Sequence, residues 1–277
     1  MNRRFGLREA LADIAAEHVE PGDTVAVLLS GGADSLSVAF SIEDAGGRVL
    51  PFTFRVEGRE DSEDLRAARM ASDALGWDLV EVDVPADLET IRRDFVSLVR
   101  DFGCRKKTQV ECAWPFLYVA PAISDFGITT TFDGFGADGH YGLSKKAMIH
   151  HRYPKAEFDA FRADYFGASS PAASREIRRI FEAAGQRLVS PYLYRRIYAR
   201  LVQFDWDELN KPRQKMPVVE EYADYFARLG GPPRRHANLQ LVAEIPALFE
   251  RLLDTDLNEN GRTRVMDLVR DYAKAVA

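Results

Sequence analysis

The sequence has little cysteine and no long hydrophobic segment. Its two cysteines, Cys104 and Cys112, are too few for a disulfide framework and lack the C-x-x-C spacing of a metal site. No apolar run approaches the length of a membrane span, and the N-terminus lacks the apolar core of a signal peptide. These absences exclude a disulfide-rich secreted domain and a membrane protein, and they predict a soluble protein in a reducing cytoplasm.

An excess of positive charge is also lacking. The net charge of −6 argues against a general nucleic-acid binder, although it does not exclude a local basic patch. Hydrophobic residues make up 46% and charged residues 29% of the chain, which is typical of globular proteins. The length of 277 residues allows one large domain or two modest ones.

Four β-type segments alternate with helical segments in the first half of the chain. Strands are predicted at residues 24–29, 48–56, 78–84 and 127–132. This alternation predicts an α/β fold with a doubly wound parallel sheet. From about residue 145 the periodicity is mostly helical. We therefore expect an α/β domain over residues 1–144 and a helical subdomain over residues 145–277 that completes the site for the second substrate, the acceptor.

The segment Ser30-Gly-Gly-Ala-Asp-Ser35 follows the first predicted strand and precedes a helix. Gly31 and Gly32 let the backbone approach a ligand closely, and the N–H groups at the start of a helix favour an anion. The hydroxyls of Ser30 and Ser35 can bond phosphate oxygens, and Asp34 can hold a metal ion that neutralises them. The loop predicts a phosphate site; the alternative is a turn without a ligand.

Two better-known phosphate loops do not fit this segment. The Walker A loop needs a lysine after its last glycine, and none follows here. The dinucleotide fingerprint needs G-x-G-x-x-G, which the two adjacent glycines do not supply. A different class of phosphate loop is therefore indicated.

A second loop, Asp133-Gly-Phe-Gly-Ala-Asp138, follows the fourth predicted strand. In parallel sheets, ligands bind at the carboxyl ends of the strands, where both loops are expected to lie. Asp133 and Asp138 are therefore predicted to face the first loop and to complete a Mg²⁺ site for a triphosphate. The alternative is a surface turn rich in glycine and aspartate.

The segment Ser30–Ser35 after its strand resembles the phosphate loop of the ATP-pyrophosphatase (PP-loop) superfamily. More specifically, the chain is similar over about residues 22–226 to the synthetase domain of the asparagine synthetase family, which includes the β-lactam synthetases. Weaker matches are the segment Ser190-Pro-Tyr-Leu193 and Lys215. The resemblance implies cleavage of ATP between its α and β phosphates. It also implies that Asp34 and Asp138 hold Mg²⁺ and that Asp133 supports the loop or a second metal ion.

The resemblance implies further site residues. Leu28, Phe54 and Gly134 are expected at the nucleotide. For Phe54 the reason is that residues 52–56 are similar to the strand that cradles adenine in the family. Lys215 is expected to supply the cation that stabilises the departing pyrophosphate, the alternative being an exposed loop lysine. Composition, and not the resemblance, points to Arg234, which lies in a segment rich in glycine, proline and arginine that we expect to close over the pyrophosphate. The alternative is a solvated surface arginine.

Two departures from the family pattern bear on the substrates. Neither cysteine is near residue 2, so glutamine hydrolysis by an N-terminal cysteine is not expected. Nitrogen would come from free ammonia, a separate glutaminase or an amine. The glutamate that follows the second loop in the family is replaced by Gly139, so the acceptor is not expected to be simply aspartate. His140 is a candidate general base, the alternative being a structural histidine with a satisfied hydrogen bond.

The expected reaction is adenylation of a carboxylate or amide, release of pyrophosphate and formation of a C–N bond with ammonia or an amine. Two alternatives stay open, namely sulfur transfer to a nucleic acid or nucleotide, and nucleotide binding without catalysis. Sulfur insertion usually uses pairs of cysteines, a pattern that Cys104 and Cys112 fit poorly. The sequence fixes neither the acceptor nor the oligomeric state.

Overall fold

The computed structural model describes residues 5–143, 155–167, 173–232, 244–253 and 267. Within these residues, five strands form one parallel sheet in the order β3-β2-β1-β4-β5. The strands are β1 (Thr24–Leu28), β2 (Arg48–Val56), β3 (Val80–Val84), β4 (Thr130–Phe132) and β5 (Arg187–Val189).

Helices connect and cover the strands. They are α1 (Leu7–Ala16), α2 (Ala33–Asp44), α3 (Glu63–Leu75), α4 (Leu88–Arg100), α5 (Lys107–Ala113), α6 (Phe116–Ser124), α7 (Ala137–Tyr141), α8 (Lys155–Phe166), α9 (Ser174–Ala183), α10 (Arg195–Leu201), α11 (Trp206–Asn210), α12 (Met216–Glu221), α13 (Ala223–Arg228) and α14 (Ile245–Leu253), with a 3-10 turn over Pro191–Leu193. In the described part of the chain, no helix combines the length and apolar character that a membrane crossing needs.

Both faces of the sheet are buried against helices. Alternate residues of β1 point to opposite faces, so that Val25 and Val27 join one hydrophobic cluster and Ala26 joins the other. The first cluster includes residues of α1, α2, α3 and α12, and the second includes residues of α4, α5, α6 and α9. Burial on both faces explains why β1 is an almost continuous apolar run.

The prediction of a parallel α/β fold is confirmed. The four predicted strands are present, although three of them are shorter than predicted, and Gly76 ends α3 in the left-handed conformation. The sequence did not predict α5 or β5. Because β5 pairs with β4 in parallel, the second half of the chain also contributes to the sheet. The division into two domains at residue 144 stays a prediction.

The order of the strands defines where a ligand should bind. From β1 the chain passes outward to β2 and β3 on one side, and then returns to add β4 and β5 on the other. The strand order therefore reverses between β1 and β4, and such a switch point opens a crevice at the carboxyl ends of the strands. The loops that follow β1 and β4 are the two acidic loops of the sequence analysis.

Candidate active site

The first acidic loop, residues 30–35, lies between β1 and α2. Its backbone is held open by the hydroxyl of Ser35, which lies 3.3 Å from the Ser30 hydroxyl and donates to the Gly32 carbonyl at 3.2 Å. Gly31 has a φ of +72°, and a Cβ there would lie 2.5 Å from the carbonyl carbon of Ala67 on α3. Only glycine therefore fits this position without displacing the backbone of α3.

The second acidic loop, residues 133–138, packs directly on the first. A Cβ at Gly134 would lie 3.0 Å from the backbone nitrogen of Ser35 and 3.1 Å from the carbonyl carbon of Asp34. The missing side chain at residue 134 thus lets the two loops touch. This contact explains how segments about 100 residues apart along the chain form one site.

Lys215 joins the two loops through its side chain. Its Nζ donates to Asp34 Oδ2 at 2.6 Å and lies 2.9 Å from Asp138 Oδ1. The side chains of Lys215 and Asp34 are each 19% exposed, whereas that of Asp138 is 53% exposed. The structure therefore brings together three of the residues that the resemblance assigned to ATP and Mg²⁺, and Lys215 is not an isolated surface lysine.

The backbone around Lys215 aims this side chain at the loops. Lys215 precedes α12 and adopts a left-handed conformation, with φ 61° and ψ 42°. Its backbone N–H donates to the Asn210 side-chain oxygen at 3.3 Å, and the Asn210 amide donates to the Tyr141 carbonyl at 2.9 Å. Asn210 thus ties the lysine to α7, which carries Asp138. Sequence reasoning did not identify Asn210, because nothing local marks it.

The charges of this cluster favour a cation between the two carboxylates. Burial by itself lowers the pKa of Lys215, but Asp34 and Asp138 together raise it above the ordinary value of a lysine. The ammonium therefore stays charged and stands at the point on which both carboxylates converge. Among the described residues, no three histidine, cysteine or acidic side chains are grouped to hold a metal ion. Two convergent carboxylates nevertheless match Mg²⁺ bound together with triphosphate, since phosphates and water supply its other ligands.

Asp133 has a different environment from the other two acids. It is buried, its Oδ1 accepts from the backbone N–H of Phe135 at 3.0 Å, and it also bonds the Ser190 side chain. Burial raises the pKa of Asp133 to about 6 despite these hydrogen bonds. Its contacts lie within the loop and with the segment after β5, which fits a loop-supporting role better than a second metal site.

His140 is enclosed in the protein on α7. It has no exposed surface, its Nε2 donates to the Tyr192 carbonyl at 2.7 Å, and its ring stacks on Phe166 with centroids 3.9 Å apart. A carbonyl only accepts, so the neutral ring carries its proton on Nε2. Burial lowers the pKa of His140 to about 3. These contacts favour the structural alternative of the sequence analysis over a general base in contact with substrate.

The space beside Gly139 is taken by Tyr165 from α8. A Cβ at residue 139 would lie 2.5 Å from Tyr165 Cδ1, so even an alanine there would displace the ring. Burial and, to a smaller degree, the charge of Asp138 raise the pKa of Tyr165 to about 12, so its hydroxyl stays protonated. The Tyr165 ring therefore takes the space that a side chain at residue 139 would need, at the position where the family pattern has a glutamate. Sequence reasoning missed Tyr165, since its contact with Gly139 depends on the packing of α8.

The other predicted site residues, Leu28, Phe54 and Arg234, are not among those that the structure shows meeting at Lys215. Leu28 ends β1 and Phe54 lies near the end of β2, and both pack at the second hydrophobic cluster. Phe54 is buried, so its contact with a nucleobase stays a prediction. Arg234 lies outside the described residues. The cysteines lie away from the two loops: Cys104 belongs to the second hydrophobic cluster and Cys112 packs against it. Burial raises the pKa of each thiol to about 12.

Comparison with known proteins agrees with this arrangement. Among curated proteins, none is similar enough to the chain to register as a match. The sequence profile of one family, asparagine synthase, matches residues 6–243 and so spans most of the chain, including both acidic loops and Lys215. Members of this family are ATP-dependent synthetases, which agrees with a phosphate loop at the carboxyl end of a parallel sheet. The chain belongs to the asparagine synthase family, as the two loops and their order had indicated.

Proposed function

We propose that this protein adenylates a carboxylate or amide with ATP, releases pyrophosphate and joins the activated carbon to a nitrogen nucleophile. The observation that carries the proposal is the position of Lys215, whose ammonium lies within 3 Å of an acid from each loop. A site for nucleotide binding alone would not require a partly buried cation between two acids at the switch point of the sheet.

Each loop has a distinct part in this proposal. The backbone and hydroxyls of residues 30–35 bind the pyrophosphate part of ATP, because the loop opens at the N-terminus of α2. Asp34 and Asp138 would hold Mg²⁺, which would neutralise phosphate charge. Lys215 would stabilise the negative charge that develops on the leaving pyrophosphate, because a cation held at that place lowers the barrier.

The reaction can be written with these residues in place. A substrate oxygen attacks the α-phosphorus of ATP, the bond to the bridging oxygen breaks, and pyrophosphate leaves with that electron pair. The product is an acyl-adenylate, or its imidate equivalent for an amide. A nitrogen nucleophile then adds to the activated carbon and displaces AMP. The nitrogen is free ammonia, ammonia from a separate glutaminase, or an amine, and the second half of the chain is proposed to shape the acceptor pocket.

The alternative of sulfur transfer receives no support from the cysteines. Burial raises the pKa of both Cys104 and Cys112 to about 12, so neither forms the thiolate that attacks sulfur donors at neutral pH. Both pack at the hydrophobic cluster on one face of the sheet rather than at Lys215. We therefore retain C–N bond formation as the proposed chemistry.

An assay of products tests the proposal. The purified protein is incubated with Mg²⁺, ATP and a panel of carboxylates and amides, with and without ammonia or an amine, and AMP and pyrophosphate are quantified. We expect equal amounts of both, dependent on an acceptor, and transfer of one ¹⁸O from a labelled acceptor into AMP. Lys215→Ala should abolish this turnover while ATP still binds.

Three results would contradict the proposal. ADP and phosphate as products would indicate cleavage between the β and γ phosphates of ATP and not between its α and β phosphates. Pyrophosphate release that depends on a nucleic acid and a sulfur donor would indicate sulfur transfer. Binding of ATP without any turnover across the panel would support a non-catalytic protein.

A further inference from the structure

Residues 190–193, which follow β5, contact the second acidic loop and the helix α2 that begins in the first. The hydroxyl of Tyr192 lies 2.7 Å from the hydroxyl of Ser37, which in turn donates to the Asp34 carbonyl at 2.8 Å. On the other side, the Tyr192 carbonyl accepts from His140 Nε2 at 2.7 Å. Tyr192 is thus bonded to α2 and to α7, the two helices that carry Asp34 and Asp138.

The direction of these hydrogen bonds follows from the donors available. Ser37 has one hydroxyl proton, and it is directed at the Asp34 carbonyl, so the Tyr192 hydroxyl must donate to the Ser37 oxygen. The chain of bonds therefore runs from His140 N–H to the Tyr192 carbonyl, and from the Tyr192 O–H through Ser37 to Asp34. Tyr192, Ser37 and His140 have no exposed surface. These bonds are shielded from water, so the loss of one costs more free energy than it would at the surface.

Two neighbours of Tyr192 reinforce the same connection. The Ser190 side chain bonds the Asp133 carboxyl at the start of the second loop. The Leu193 side chain packs closely against Gly136, where an added Cβ would clash with Leu193 Cδ2 and would displace it. The segment therefore contacts the second loop at its beginning, its middle and the helix that follows it.

We propose that Tyr192 is a positioning residue that fixes the separation of Asp34 and Asp138 for binding of Mg²⁺ and ATP, and that His140 acts through it. The inference rests on the proposed function, which places ATP at the two acidic loops. Lys215 also links the loops, but that link is given up once its ammonium moves to a phosphate. The bonds of Tyr192 involve no ligand atom, so they persist when the site is filled.

The first experiment compares two buried tyrosines. Tyr192→Phe removes the hydroxyl that reaches Ser37, while Tyr222→Phe removes a hydroxyl of equal burial that makes no hydrogen bond to a described residue. Affinity for Mg²⁺ with α,β-methylene-ATP, which cannot be cleaved between its α and β phosphates, is measured by calorimetry. Unfolding by urea is measured in parallel. We expect five- to tenfold weaker nucleotide binding for Y192F and less than a twofold change for Y222F.

A second set of variants tests the path through Ser37. Ser37→Ala should weaken binding as much as Y192F, and the double variant should bind no worse than either single one, because both remove the same connection. If Y192F does not fold, the nucleotide affinity of S37A tests the inference, because this substitution removes fewer atoms. Equal nucleotide affinity of wild type, Y192F and S37A would overturn the inference and leave the proposed function intact. Absence of nucleotide binding by the wild type would overturn both.

Substitutions at His140 separate positioning from general-base catalysis. Glutamine keeps an N–H donor for the Tyr192 carbonyl, whereas methionine fills the space without one. We expect His140→Gln to bind the nucleotide within twofold of wild type and His140→Met to bind it at least fivefold more weakly. If H140M binds as tightly as wild type, His140 does not act through Tyr192, and its part in the inference is wrong.

Discussion

Replacing Lys215 by methionine tests the charge arrangement on which the proposed site depends. The substitution keeps an unbranched side chain that is one atom shorter, and it removes the ammonium that lies 2.6 Å from Asp34 and 2.9 Å from Asp138. Two acids then face each other without a cation between them. The effect should be a loss of stability that a divalent cation restores, because the remaining carboxylates form the proposed Mg²⁺ site.

The size of the loss follows from burial. Removing one partner of a buried ion pair costs about 3–5 kcal/mol, whereas an exposed pair contributes about 0–1 kcal/mol. Asp34 is mostly buried and Asp138 is half exposed, so we expect a loss of about 3 kcal/mol, almost all of it from Asp34. A cation at 100 times its dissociation constant stabilises the folded state by about 2.7 kcal/mol. Saturating Mg²⁺ should therefore restore most of the stability of K215M.

Urea unfolding followed by tryptophan fluorescence measures both effects. Lys211→Met is the matched control, since Lys211 forms a 2.8 Å ion pair with Asp207 in which both side chains are 62% exposed. It should lose less than about 0.5 kcal/mol and show no specific response to Mg²⁺. Sodium chloride at equal ionic strength controls for screening. The reasoning is refuted if K215M is as stable as K211M, or if Mg²⁺ stabilises K215M no more than wild type.

Three further predictions concern the loops. Burial raises the pKa of Asp133 from its ordinary value of 3.8 to about 6, so the folded state keeps this proton up to a higher pH than the unfolded chain does. The stability that this proton contributes is therefore lost as pH rises from about 4 to about 6. Asp133→Asn should remove a pH dependence on the order of 2–3 kcal/mol and be the more stable form at pH 7, as urea unfolding at several pH values would show. Gly139→Ala should lower the free energy of unfolding by about 1–3 kcal/mol, because the new methyl group displaces Tyr165. Tyr165→Ala should cost less in the Gly139→Ala background than in the wild type, and additive effects in the double variant would contradict this contact. Gly31→Ala should lose about 3 kcal/mol, since it combines a left-handed φ with a clash against Ala67, and unchanged urea unfolding would show that the loop does not need glycine.

The two acidic loops could be predicted because each is marked by local sequence. Each follows an apolar strand, and each contains glycines and acids in short order, so strand, turn and charge can all be read within about ten residues. The parallel arrangement then places both loops at one edge of the sheet. The short strand β5 has only three residues and the helix α5 only seven, so neither gave a periodic pattern long enough to be recognised.

The contacts between distant segments could not be predicted in the same way. Lys215 lies 181 residues from Asp34, and its left-handed backbone and its bond to Asn210 have no local signature. The resemblance to a family pointed to Lys215, but not to its place between two acids. His140 shows the opposite case, since its type suggests catalysis whereas packing against Phe166 and Tyr192 buries it.

The sequence by itself thus determined the fold class and the two acidic loops that face each other, because backbone geometry and charge act over a few residues. Only the tertiary structure decided which cation lies between those acids, which tyrosine fills the space beside Gly139 and which residue ties the loops together. These outcomes depend on side chains that meet across the fold, where burial makes each hydrogen bond and charge pair matter more than it would in water.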